Sequence, residues 1–128
     1  MAGSGAGDGS IDTGDPANAF YDLTIEKANA GDRVYIYGHA IQVGRNLTIT
    51  KGMLDTYSLD IDVTGTTTIA EDGTLKLDAA SDTTTLTIGA ALTNNGTILV
   101  GDSSNTITIQ GAAGSVPIEF GAAATIDY

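Results

Sequence analysis

Short runs of alternating apolar and polar residues fill the chain between Asn46 and Gly111. Apolar residues are separated by single Thr, Asp or Lys residues, and Gly or Asp-Gly closes each run. Successive side chains of a strand point to opposite faces, so each run predicts a strand with one apolar and one polar face. The runs read NLTITKG, LDIDVTG, TTIAEDG, TLKLDAA, TLTIGAALTNNG, TILVGD and TITIQG.

The strand pattern also repeats. Superposing Leu23, Leu47, Ile69 and Gly96-Thr97-Ile98 gives spacings of 24, 22 and about 29 residues, within the range of stacked repeats whose neighbours complete a shared core. The sequence therefore predicts an all-β fold, a short right-handed parallel β-helix (solenoid) of about four to five coils, at ~4.8 Å per coil. A β-sandwich or jelly roll uses the same strand content and is the alternative.

The pattern divides the chain into three segments. Residues 1–14 are rich in Gly, Ser, Ala and Asp, with Ile11 as the single large apolar residue. They predict an extended arm, either a disordered tail or a segment ordered by a partner. Residues 15–32 predict a segment that caps the first open end of the stack, and residues 33–128 predict the coils with closing strands at the C-terminus.

The cap segment supports two interpretations. Asp15-Pro16 is a good helix start, and apolar residues follow it at helical spacing. The aromatic and β-branched content of residues 20–25 indicates a strand instead. Leu23-Thr24-Ile25 recurs as Leu47-Thr48-Ile49 and Leu86-Thr87-Ile88, which favours the strand.

Composition narrows the classes of function. The 128 residues suit one domain, and 16 acids against five bases give a formal net charge of −11. This balance argues against nucleic acid or an anionic membrane as a partner. The absence of cysteine from the sequence excludes disulfides and zinc–thiolate sites. Residues 1–17 contain neither the basic nor the apolar region of a secretory signal. We therefore expect either that Met1 was added to a surface-protein segment, or that the protein is assembled inside a cell and exposed later, as virion proteins are.

Three phrases carry a resemblance to a known family: residues 20–25, residues 46–55 and residues 92–98. They resemble the parallel β-helix repeats of bacterial and archaeal adhesin-like surface proteins and of phage structural proteins. The resemblance covers about residues 20 to 111. It implies a parallel β-helix and a structural role at a surface.

Candidate chemistry is sparse. His39 is the single histidine and is interpreted as a turn residue, because no Cys or second His accompanies it as a metal ligand. Asp60 and Asp62 share one strand face and could form a carboxylate ladder with Asp78 and Asp82, as β-helix lyases and hydrolases require. Few bases accompany them: Arg33, Arg45, Lys51 and Lys76. Residues 102–105 are interpreted as a plain turn, because the spaced acids of a calcium loop are missing.

Together these features predict a non-enzymatic structural protein with no cofactor. The leading hypothesis is a virion surface protein, a capsid decoration or fibre module. It docks through its N-terminal arm on a protein lattice such as a capsid and forms a homo-oligomer, for which a trimer is one candidate. The alternatives are a module of an extracellular adhesin or surface-layer protein and a carbohydrate-binding or lyase-like domain. Deleting residues 1–14 is expected to abolish assembly while the fold survives. Expected partner contacts, at the arm and the two ends, are Ile11, Asp12, Phe20, Tyr21, Phe120 and Tyr128.

Overall fold

The computed structural model describes residues 2–3, 6–12, 14–15, 19–77, 84–100, 107–111, 118–120 and 125–127. Within these residues all regular structure is β, without helices. The strands are β1 (Ala2–Gly3), β2 (Gly9–Ile11), β3 (Ala19–Phe20), β4 (Leu23–Glu26), β5 (Arg33–Ile36), β6 (Ile41–Val43), β7 (Leu47–Asp55), β8 (Ile61–Val63), β9 (Thr66–Leu77), β10 (Thr84–Ile88), β11 (Ala91–Asn94), β12 (Thr97–Val100), β13 (Ile107–Gly111), β14 (Ile118–Phe120) and β15 (Thr125–Asp127).

Each strand stacks on the equivalent strand of the next turn, and every described pairing is parallel. The paired residues are separated by 20 residues where Leu47 meets Thr67 and by 28 where Thr97 meets Thr125. The result is a β-solenoid of about four turns, β4 to β13, with short strands β1–β3 at one end and β14–β15 at the other. The predicted all-β parallel solenoid is confirmed, and the sandwich alternative is wrong.

The solenoid has three faces. The first contains β1, β4, the start of β7, the start of β9, β11 and β14. The second contains β2, β5, the end of β7, the end of β9, β12 and β15. Because β7 and β9 continue around one corner, these two faces form one ten-stranded sheet. The third face is a separate five-stranded sheet of β3, β6, β8, β10 and β13.

The core fills the interior with aliphatic side chains that stack from turn to turn. Alternate residues of the strands point inward, as in β9, where every second residue of the final stretch is buried. Each fully buried Val, Leu or Ile contributes about 1.5–3 kcal/mol, so these columns hold the turns together. The buried apolar residues are Ile11, Leu23, Ile25, Val34, Ile36, Ile41, Val43, Leu47, Ile49, Leu54, Ile61, Val63, Ile69, Leu75, Leu77, Leu86, Ile88, Leu92 and Ile98.

The repeat register is only partly as the sequence predicts. Leu23 does pair with Leu47. The next residue in that column is Thr67, whereas Ile69 pairs with Ile49. Thr67 therefore occupies an inward position that the apolar pattern assigns to an aliphatic residue. The predicted alignment placed Ile69 opposite Leu47, and the observed register differs from it by two residues.

Where it is described, the predicted N-terminal arm is part of the solenoid. β1 pairs with β4 and β2 pairs with β5, and Ile11 is only 4% exposed within the core cluster. Its aliphatic side chain is buried because β2 has the same inward alternation as the strands beneath it. Deleting residues 1–14 thus removes core packing, so we expect a loss of stability and not only of assembly.

The predicted cap segment also enters the stack. Strand β4 lies between β1 and β7, so the strand interpretation is confirmed for residues 23–26. The proposed helix start is only partly described, since Pro16 lies outside the described residues. Stacking on Leu47-Thr48-Ile49 explains why the strand forms, because parallel pairing satisfies the backbone of residues 23–25.

Close stacking at the corners predicts a strict requirement for glycine at position 89. A Cβ on Gly89 would lie far inside van der Waals contact with the backbone carbonyl of Thr64. We expect Gly89→Ala to lower the free energy of unfolding by about 1–3 kcal/mol, because the backbone must shift. Gly31→Ala is the matched control, since nothing lies within 4 Å of that Cβ. Equal urea midpoints for the two variants would contradict the prediction.

The inward threonine of β9 provides a second prediction. Thr67 is fully buried, and its hydroxyl has no hydrogen-bond partner. An unsatisfied buried polar group costs about 1–3 kcal/mol, so Thr67→Val should raise the free energy of unfolding by about 1 kcal/mol. Thr67→Ser keeps the hydroxyl and loses a methyl group, so it should be destabilising. Denaturant unfolding of both variants measures the difference, and a destabilised Val variant would refute the assignment.

Candidate functional site

The six residues expected to contact partners have different environments. Ile11 lies in the hydrophobic core, and the partly buried side chain of Phe20 packs against that core. The Asp12 carboxylate accepts a hydrogen bond of 2.8 Å from the Gly14 amide. The same carboxylate oxygen lies 3.2 Å from Nδ1 of His39. Of the four residues whose side chains are described, Tyr21 is the largely exposed aromatic, with 70% of its surface accessible. Phe120 is the last residue of β14. The side chain of Phe120 and the whole of Tyr128 lie outside the part of the chain that the structure describes.

Ion pairs connect successive turns along the outer surface. Nη2 of Arg33 lies 3.0 Å from an Asp8 carboxylate oxygen, and Nη2 of Arg45 lies 2.6 Å from Asp22. In each pair the acid precedes the base by about one turn. Asp8 and Arg33 occupy equivalent positions of consecutive turns, whereas Arg45 precedes by one residue the position equivalent to Asp22. The Arg45 guanidinium also lies over the ring of Tyr21, 4.6 Å from its centroid.

Asp55 is the most deeply buried acid among the described residues, although it ends a strand on the outer side. Its side chain has no exposed surface, because neighbouring side chains cover it. Lys76 donates to it at 3.0 Å, the Tyr57 amide donates at 3.0 Å, and Nη1 of Arg33 lies 3.7 Å away. Two cations and a backbone amide compensate the desolvation of this carboxylate, which is costly if unpaired.

Next to Asp55, three tyrosines and an arginine surround a cleft of about 300 Å³ on the second face. We call this the tyrosine cleft; its lining residues are Arg33, Tyr35, Tyr37 and Tyr57. Val34 and Ile36 point into the core, so strand alternation places the first three lining residues outside. Tyr57 approaches from the following turn, with its ring centroid 5.9 Å from that of Tyr35.

The backbone beside the cleft is strained. Tyr57 and Ser58 have φ angles of 49° and 67°, and they are the only non-glycine residues with positive φ in the described part of the chain. This left-handed region costs roughly 1–2 kcal/mol per residue for side chains other than Gly, Asn or Asp. The hydrogen bond from the Tyr57 amide to Asp55 fixes the turn in this conformation.

A second cleft, of about 330 Å³, lies on the same face and shares Arg33 with the first. Its lining is mainly charged and polar: Asp8, Gly31, Arg33, Met53, Asp55, Lys76 and Leu99. Arg33 thus stands between an aromatic cleft and a polar one. Its pKa is raised above the ordinary value, chiefly by the hydrogen bond to Asp8.

The predicted carboxylate ladder is only partly within the structure. Asp60 and Asp62 are exposed, as expected from the alternation of β8, and Asp60 accepts the Thr85 amide at 2.7 Å. Asp78, Asp82 and the turn at residues 102–105 lie outside the described residues. Within the described part of the chain, no group of three or more His, Cys, Asp or Glu residues is arranged to hold a metal ion.

Sequence reasoning did not single out the tyrosine cleft. Its signal was present in Arg33-Val34-Tyr35-Ile36-Tyr37, where every polar or aromatic residue alternates with an aliphatic one. The alternation alone places three large side chains on one outer face. The contribution of Tyr57 depends on the register between β5 and β7, which the sequence did not provide.

Comparison with protein-family models, curated proteins and solved structures gives no match. The assignment to a β-solenoid therefore comes from the strand pairing and the buried columns. Among the described residues, no helix is long and apolar enough to cross a membrane.

The ion pairs between turns predict a pH-dependent stability. The hydrogen bond from Arg45 holds the pKa of Asp22 below its ordinary value, and the Asn46 amide adds to this. Because the folded pKa is depressed, the stabilisation is present above the unfolded pKa of about 4 and is lost as pH falls through the folded pKa. Asp22→Asn should therefore lower Tm at neutral pH, with the difference from wild type shrinking below about pH 4.

Asp62→Asn is the control, since it removes one exposed negative charge from β8 and leaves the ion pair between Asp22 and Arg45 intact. Thermal melts across the pH range measure both variants. A Tm difference for Asp22→Asn that does not change with pH would contradict the ionic origin of the effect.

Proposed function

We propose that this protein is a non-enzymatic structural module displayed on an outer surface, most specifically a virion surface protein that docks on a protein lattice. The observation that carries the proposal is the use of charged side chains to connect neighbouring turns. Arg33, Arg45 and Lys76 each form an ion pair with an aspartate about one turn away. These groups reinforce the solenoid along its axis, as the role of a durable scaffold requires.

The acidic composition supports the same role. A net charge of −11 keeps an exposed surface solvated and opposes non-specific binding to nucleic acid. Regular stacking with a largely aliphatic interior also resists local opening, because each inner turn is packed on both sides.

The N-terminal end of the solenoid is the docking surface in this proposal. Within the described residues, β1 pairs only with β4, β2 only with β5, and β3 only with β6. Their outer edges are therefore available to receive a strand from a sister subunit or a lattice protein. This replaces docking through a free arm by docking through the edge of the first strands, and it supports homo-oligomerisation.

Intact mass spectrometry of the protein in its native material tests the proposal. Detection of this chain in purified particles, separate from any much larger cell-surface chain, is the expected result. Recovery only as part of a much larger cell-surface chain would replace the virion assignment by the adhesin or surface-layer alternative. Sedimentation at high concentration, with and without the lattice protein, measures assembly. A monomer under both conditions would remove the docking proposal.

A further inference from the structure

We propose that the tyrosine cleft is a binding site for an uncharged saccharide. This inference goes beyond the structural role and does not depend on it, because a scaffold at a surface functions with or without a ligand. It rests on the chemistry of the lining residues, on the local charge, and on the conformation of the turn that positions Tyr57.

The ring surfaces suit a sugar. Tyr37 and Tyr57 are 60% and 59% exposed, so a ligand can cover their faces. The rings of Tyr35 and Tyr57 are inclined at 47°, which makes two walls of different orientation. A pyranose ring has an apolar C–H face that packs on such a wall, while its hydroxyls reach the phenol groups and the Arg33 guanidinium, which are hydrogen-bonding groups.

The charge around the cleft selects a neutral ligand. Arg33 and Lys76 contribute two positive charges, and Asp8 and Asp55 two negative charges, all within the same set of ion pairs. The net charge of these four side chains is therefore zero. An anionic ligand would meet the field of a molecule with net charge −11, and a cationic one would displace Arg33 from Asp8 or Asp55.

The adjoining polar cleft extends the argument to more than one sugar unit. It begins at Arg33 and continues past Asp8 and Lys76, so hydroxyls of a second unit would meet the exposed Asp8 carboxylate and the Lys76 ammonium group. Aromatic grooves also bind proline-rich peptides, which require successive aromatic-lined pockets. Here the aromatic rings are confined to one of the two clefts, and this favours a saccharide over such a peptide.

The cleft is preorganised at an energetic cost. Arg33 and Tyr35 lie on the rigid strand β5, and Asp55 holds the amide of Tyr57. The left-handed backbone at Tyr57 is unfavourable for tyrosine but natural for glycine. Backbone strain of this kind persists at ligand sites, where fixing a side chain in its bound geometry increases affinity.

The experiment uses the whole protein and a panel of neutral oligosaccharides of glucose, galactose, mannose and N-acetylglucosamine. Titration calorimetry measures affinity, and tyrosine fluorescence provides a second signal because the chain contains no tryptophan. We expect at least one saccharide to bind. Tyr57→Ala should lower the affinity for that saccharide by roughly tenfold, which is the effect expected from the loss of one stacking partner. Tyr21→Ala, which removes an exposed tyrosine outside the cleft, should leave the affinity unchanged within about twofold.

Tyr57→Gly separates binding from folding. Glycine adopts the observed φ without strain, so the variant should keep or raise Tm while the affinity falls as in Tyr57→Ala. No binding by any member of the panel at millimolar concentration would overturn the proposal. So would unchanged affinity in Tyr57→Gly, equal loss in Tyr21→Ala, or binding of a proline-rich peptide in place of every saccharide.

Discussion

Parallel in-register stacking is the constraint on which the whole structure depends. Each turn must place an inward side chain over its equivalent in the turn before, at the spacing of neighbouring strands, ~4.8 Å. An aliphatic column such as Leu23 on Leu47 satisfies this requirement through burial. The same spacing leaves no room at the corners, which is why Gly89 can lie against the backbone of Thr64 but a larger residue cannot.

The outer surface follows from the same stacking. Residues one turn apart become direct neighbours, so an acid and a base at equivalent or adjacent positions form a pair without any further folding. Arg45 with Asp22 and Arg33 with Asp8 are such pairs. The tyrosine cleft arises in the same way, because the turn after β7 lies beside the end of β5 and brings Tyr57 to Tyr35.

The sequence predicted the class of fold because alternation and glycine breaks are local signals. The strands around Leu47, Ile61 and Leu86 could be identified without knowing their partners. The register could not be predicted in full, because Thr67 is polar and yet points inward. Asp55 could not be assigned to a buried position either, since strand alternation places it outside and only Lys76, Arg33 and the next turn cover it. Residues 9–11 looked like an arm because glycine and serine conceal the inward alternation that ends at Ile11.

The short separation between paired residues, 20 to 28 positions, has a consequence for synthesis in the cell. Each turn needs only the next stretch of that length to complete its pairing, so the solenoid can form progressively while the C-terminal half is still being translated. The loop-closure entropy is the same modest amount at every step and does not accumulate with chain length.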